Sequence, residues 1–276
     1  MSFDSEKCVQ MWKLNKLFDL IYTFDSDIAE KVHHKMKSAE DYPNLLVRLS
    51  GKSIVTFREI VTLSANGYPD GALSLARNLY EQFITIAFLN AHLNSIDFND
   101  YIEDYYLDYD LQRTKALVFE AEYCTKDDRA LEKLRNQKLN IRSQMHHSNK
   151  RGEFWWTGKN SFYDVATEVI SGSKDESFRK FLSQLHLLYK RSSLSVHATC
   201  MGNYLRLGVS PKFVGVDTSP QANGHALPLY LATNSFIGIV GIVCKEFNIE
   251  SEALLENLNE LAIFYRKSMT ETQSRE

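Results

Sequence analysis

Apolar residues recur at spacings of three and four along most of the chain, which predicts helices throughout. A first helical block runs from about Asp4 to Ala39, as one long helix or as two broken near Asp25-Ser26-Asp27. Tyr42-Pro43-Asn44 ends that block, and a second helix reaches about Ala65. The run Asn66-Gly67-Tyr68-Pro69-Asp70-Gly71 is a turn. Ala72 to Leu93 is a strongly apolar helix with one narrow polar stripe: Ser74, Arg77, Asn78, Glu81 and Thr85. An acidic, tyrosine-rich helix from Asp97 to Cys124 and a basic helix from Asp127 to His147 follow. Ser148 to Asn160 is a loop carrying Phe154-Trp155-Trp156, and a short helix covers Phe162 to Ile170. A long helix from Ser177 to Leu205 ends at Gly208-Val209-Ser210-Pro211, and 209–228 is the least helical region. Closing helices at 229–247 and 251–267 lead into a polar tail, 268–276.

With 5 prolines and 12 glycines and no linker or repeat, the pattern predicts an all-α fold. The expectation is a multi-helix bundle of about eight to ten helices in a single domain, 1–276, with a projecting Trp-containing loop.

Composition changes this picture little. Apolar residues make up 44% and charged residues 24% of 276 positions, as in soluble globular proteins. A net charge of −3 argues against global binding to nucleic acid or membrane surface but leaves room for a local basic patch. Cys8, Cys124, Cys200 and Cys244 lie far apart without a Cys-x-x-Cys pair, the spacing of reduced, core-filling thiols. The N-terminus is polar, unlike a secretory leader. Ala226 to Cys244 is the most hydrophobic run, but Thr233, Asn234 and Ser235 interrupt it, so it reads as a buried helix and not a membrane span. The expected location is the cytoplasm. No metal or cofactor is expected: Glu30-x-x-His33 has no second Glu-x-x-His to complete a di-iron bundle site.

The candidate chemistry begins on the long helix. Phe178, Phe181, Leu182, Leu185, Leu188 and Val196 form its core stripe, while His186, Tyr189, Lys190, Ser193 and His197 form a polar one. Ser193 and His197, one turn apart, have the types of a nucleophile and its base. A mid-helix serine, however, bonds its own i−4 carbonyl, and no Gly-x-Ser-x-Gly elbow is present. Arg77 and Glu81 can pair at i,i+4. Arg135, Lys138 and Arg142 share a face of the basic helix and can follow a phosphate backbone; the bland alternative is a solvated face. Trp155 and Trp156 either tuck into the core or offer a stacking surface for a base or a protein. The carboxylates and tyrosines of Asp100 to Asp110 read as a solvated or partner-facing helix.

Arg191-x5-His197 resembles the Arg-x(4–6)-His pattern of the helical HEPN ribonucleases. Arg142-x4-His147 and Arg179-x6-His186 fit it too. That resemblance implies a histidine that moves protons at the ribose 2′-hydroxyl and an arginine that holds the phosphate, without a metal. Residues six apart on a regular helix point about 120° apart, so convergence requires a kink or a dimer interface. Gly71-Ala72-Leu73-Ser74-Leu75-Ala76-Arg77-Asn78-Leu79-Tyr80-Glu81 resembles the Ala-x-x-Leu-x-Arg-x-x-x-Glu signature of bacterial domain-of-unknown-function family 5677. Trp156-Thr157-Gly158-Lys159, Tyr189 and Ser193-x-x-x-His197-Ala198 are similar to its later motifs, so the match covers about 45–207. The resemblance implies a helical fold in which Arg77, Glu81, Trp156, Tyr189, Ser193 and His197 converge, and supplies no activity.

Two functional expectations follow. One is a metal-independent HEPN-like ribonuclease or RNA-binding effector, of toxin or phage-defence type. In it His197 is the acid/base, Arg191 or Arg77 holds phosphate, and Arg135, Lys138, Arg142, Trp155 and Trp156 hold substrate. The other is a non-catalytic helical binding or regulatory module whose polar cluster is structural. The partners expected are RNA or a protein, without a membrane, and the expected assembly is a homodimer.

Overall fold

The computed structural model describes residues 5–32, 41–150, 152–196 and 224–273. Among them are nine α-helices and no strand: α1 (Ser5–Val32), α2 (Tyr42–Ala65), α3 (Pro69–His92), α4 (Phe98–Phe119), α5 (Asp128–Gln144), α6 (Phe162–Gly172), α7 (Glu176–Val196), α8 (Ala226–Phe247) and α9 (Glu252–Gln273). The expected end of the long helix at Gly208–Pro211 and most of the weakly helical stretch lie outside the described residues.

Several boundaries differ from expectation for local reasons. α1 is one unbroken helix, because Ile21, Phe24 and Ile28 keep the helical spacing and are all buried. Asp25 and Ser26 between them are exposed. α3 begins at Pro69, whose fixed φ and missing N–H suit a first helical turn. α4 passes into a π-helix (Glu120–Thr125) and stops at Lys126, which adopts the left-handed conformation at φ 52°. α9 continues to Gln273, through most of the expected polar tail.

These residues form two compact units. The first comprises α1, α2 from Pro43, α3 up to Ala87, α7, α8 and α9. Its centre is α8, whose Leu229, Leu231, Ala232, Phe236, Ile239, Val240 and Val243 are buried. α8 packs on α9, α1 and α7, and Phe236 stacks on Phe57 of α2 at 4.8 Å. Long and apolar enough to cross a membrane, α8 is mostly buried within the protein instead, with Asn234 and Ser235 satisfied by their own i−4 carbonyls. Phe178, expected in the core stripe of α7, is exposed.

The second unit comprises α3 from Phe88, α4, the π-helix, α5 and α6. α4 and α5 form a hairpin. Asp127 caps α5 by accepting from Ala130 N at 3.0 Å. Ser161 and Asp164 cap α6 reciprocally: Asp164 N donates to Ser161 Oγ at 3.3 Å, and Ser161 Oγ donates to Asp164 Oδ2 at 2.8 Å. Cys124 lies exposed in the π-helix, contrary to a core-filling role, whereas Cys244 is half-buried with its thiol pushed above the usual range by burial.

Candidate functional site

Two polar clusters stand out, one in each unit. In the first unit, Arg77, Tyr80 and Glu81 project from successive turns of α3, and His186 and Tyr189 from one turn of α7. Tyr189 donates its hydroxyl to Glu81 Oε1 at 2.8 Å. Arg77 Nη2 donates to that hydroxyl at 3.4 Å and lies 3.7 Å from Glu81 Oε1. The Arg77 guanidinium also rests 5.0 Å from the centre of the Tyr189 ring. The Arg77 side chain is only 12% exposed, and among the described residues its buried Nε has no hydrogen-bond partner. Burial, then the Glu81 carboxylate, push the Tyr189 phenol up to about 12, so it stays a neutral donor. Tyr80 OH shares a hydrogen bond with His186 Nδ1 at 3.2 Å, and the His186 ring stacks on Tyr189. Burial first, and Lys190 second, lower the His186 pKa and keep the imidazole neutral.

The structure therefore brings together Arg77, Glu81 and Tyr189. Ser193 Oγ donates to its own i−4 carbonyl, Tyr189 O, at 3.1 Å, the self-bonding expected of a serine inside a helix. Arg191 is exposed on α7. His197 lies outside the described residues.

The substrate-binding candidates divide. Arg135 and Arg142 are exposed on α5 and Lys138 is half-buried; Arg135 approaches Glu122 Oε1 at 3.7 Å. Of the two alternatives for the tryptophans the core one holds and the stacking surface does not, because Trp155 is 4% and Trp156 3% exposed. They sit on a 3₁₀ turn (Trp155–Thr157). Trp155 Nε1 donates to Asp108 Oδ1 at 2.5 Å, and Trp156 packs edge-on against Tyr105 and Phe88. Neither ring offers a face to a base.

The second cluster was not legible as a site. Asp104 is 0% exposed, so at this one position the acidic stretch is not the solvated or partner-facing helix it reads as, whereas Glu103 beside it is 66% exposed. Its Oδ1 accepts from His146 N at 3.0 Å, and its Oδ2 accepts from His147 N at 3.0 Å and from His147 Nδ1 at 2.7 Å. These bonds end α5 at Gln144, short of the expected His147. His147 stacks on Tyr101 at 5.2 Å with the rings 5° from parallel. Gly158, in the left-handed region at φ 70°, lets backbone approach this ring: a methyl there would stand 3.0 Å from His147 Cδ2. Lys159 pairs with Glu168, whose other oxygen meets His92 Nε2 at 3.0 Å. His146 is exposed, and its bond to Glu103 at 3.0 Å raises its pKa. The available signal was spacing: Asp100, Asp104 and Asp108 fall at i, i+4 and i+8 on one face of α4. All three then meet the 146–155 segment.

A family model described as "Family of unknown function (DUF5677)" matches residues 44–213. No curated protein and no solved structure matches the chain.

Proposed function

The chain belongs to the family of unknown function DUF5677, and from its polar clusters we propose that it is a HEPN-like, metal-independent effector acting on RNA. The observation that carries this reading is the Arg77 guanidinium, oriented by Tyr189 and Glu81, whose buried Nε donor has no partner among the described residues. A permanently charged fork held in this way suits a phosphate on which negative charge develops. His197, four positions beyond Ser193 in sequence, supplies the acid/base, and Arg135, Lys138 and Arg142 of α5 supply contacts to the RNA backbone. Buried tryptophans take no part. The test is cleavage of single-stranded RNA by the purified chain in excess chelator. His197→Ala and Arg77→Ala each lower the rate by about 10²-fold or more, the scale of a lost acid/base or charge-stabilising group. Unaltered cleavage by both variants refutes the assignment.

A second reading, a non-catalytic binding module, is favoured by the internal satisfaction of Tyr189, Glu81 and Ser193. It gives no cleavage at all, with Arg77→Ala costing stability instead.

A further inference from the structure

We propose that the outer face of α4 and its π-helical extension docks a second copy of this chain, antiparallel, about a two-fold axis between Ala116 and Leu117. The face is a stripe at helical spacing: Tyr109, Arg113, Ala116, Leu117, Glu120 and Cys124. All six residues are exposed, Tyr109 and Leu117 as large hydrophobic side chains. Leu111 and Thr114, interleaved with them in sequence, are buried on the other side of the helix. A neighbouring stripe is satisfied within the helix, because Gln112 donates to Asp108 Oδ1 at 3.0 Å and Lys115 donates to Gln112 Oε1 at 3.3 Å. Arg113 and Glu120 instead meet no opposite charge within ion-pair distance among the described residues.

The order of residues identifies the occupant. In a two-fold contact, the residue that faces a position must be faced by it in return. About an axis between 116 and 117, positions equally far on either side face each other. Arg113 then faces Glu120 of the second copy, and Glu120 faces its Arg113. Tyr109 faces Cys124, a ring against a polarisable sulfur. Leu117 faces Ala116, a large side chain over a small one where the helix axes come closest. At the edges Asp110 faces Tyr123 and Gln112 faces Ala121, so no like charges meet. A partner of another sequence would require no such symmetry. From Tyr109 to Cys124 the stripe spans about 20 Å of helix, which makes a small interface and a weak, reversible dimer. Arg135, Lys138 and Arg142 lie on α5, so pairing through α4 does not use the residues assigned to RNA.

The experiment is sedimentation equilibrium of the full chain at up to about 100 μM, where small interfaces become populated. Arg113→Glu and Glu120→Arg, both at exposed positions, are run beside the wild type, and melting curves verify that they fold. The expected result is a monomer–dimer equilibrium in the wild type. Each variant sets two pairs of like charges face to face and weakens the dimer by about 10-fold or more. An equimolar mixture of the two variants recovers the wild-type affinity, because the exchanged charges are again opposite. A wild type that stays monomeric overturns the proposal and leaves the face to a partner of another sequence. A wild-type dimer that neither substitution weakens places the interface elsewhere, and a mixture that stays monomeric overturns the two-fold register.

Discussion

The hydroxyl of Tyr189 donates to Glu81 Oε1 at 2.8 Å, tying α7 to α3 across 108 positions of sequence. The carboxylate in turn lies beside Arg77, so one phenol organises a half-buried ion pair that a surface setting would leave weak. Tyr189→Phe keeps the ring contacts with His186 and Tyr80 and removes only the hydroxyl with its bonds to Glu81 and Arg77. The expected cost is about 1–2 kcal/mol, the worth of a hydrogen bond to a charged acceptor. Thermal unfolding reads this as a fall of several degrees, and an unchanged melting temperature refutes it.

Asp104→Ala removes the acceptor of three N–H donors at a position with no exposure. About 1–3 kcal/mol of stability is lost, since three part-buried donors lose their acceptor. Glu103→Ala, which removes the exposed partner of His146, costs under about 1 kcal/mol. Urea unfolding of the two variants side by side tests the contrast.

His186 gives a pH dependence of defined sign. Burial lowers its folded pKa below the unfolded value of about 6.5. The unfolded chain then binds a proton that the folded chain refuses, so this contribution is fully present above about pH 6.5 and declines as pH falls below it. His146, with a raised pKa, has the opposite sign but is exposed and screened. Melting temperatures between pH 7.5 and 5 fall less steeply in His186→Asn than in the wild type. Parallel curves count against the assignment.

Two glycines of α8 separate packing from propensity. A methyl at Gly238 would overlap the Phe83 ring, whereas at Gly241 nothing lies within 4 Å. Gly241→Ala stabilises by about 0.5–1 kcal/mol through helix propensity alone. Gly238→Ala destabilises by about 1–3 kcal/mol through overpacking. Equal shifts in the two melting curves contradict the packing of α3 on α8.

The helices were legible because burial and periodicity agree: Ile21, Phe24 and Ile28 carry α1 through a polar stretch that looked like a break. The pairing of Arg77 with Glu81 followed from spacing, and the resemblance brought Tyr189 to them. Asp104 stayed hidden because a carboxylate among tyrosines reads as surface until its partners, 42 and 43 positions away, are seen. The sequence leaves the tryptophan pair open between core and stacking surface for the same reason. Its polar loop gave no sign of the Asp108, Tyr105 and Phe88 that enclose it.

The hairpin of α4 and α5 is fastened at its base, by a single carboxylate gripping the turn at His146 and His147. Its far end, around the π-helix and Lys126, is held by exposed contacts, the Arg135–Glu122 pair at 3.7 Å and the Asp127 cap of α5. Length is therefore cheap to change at the tip and costly at the root: relatives are expected to gain or lose helical turns near 120–128 while keeping an acid and an imidazole in register below.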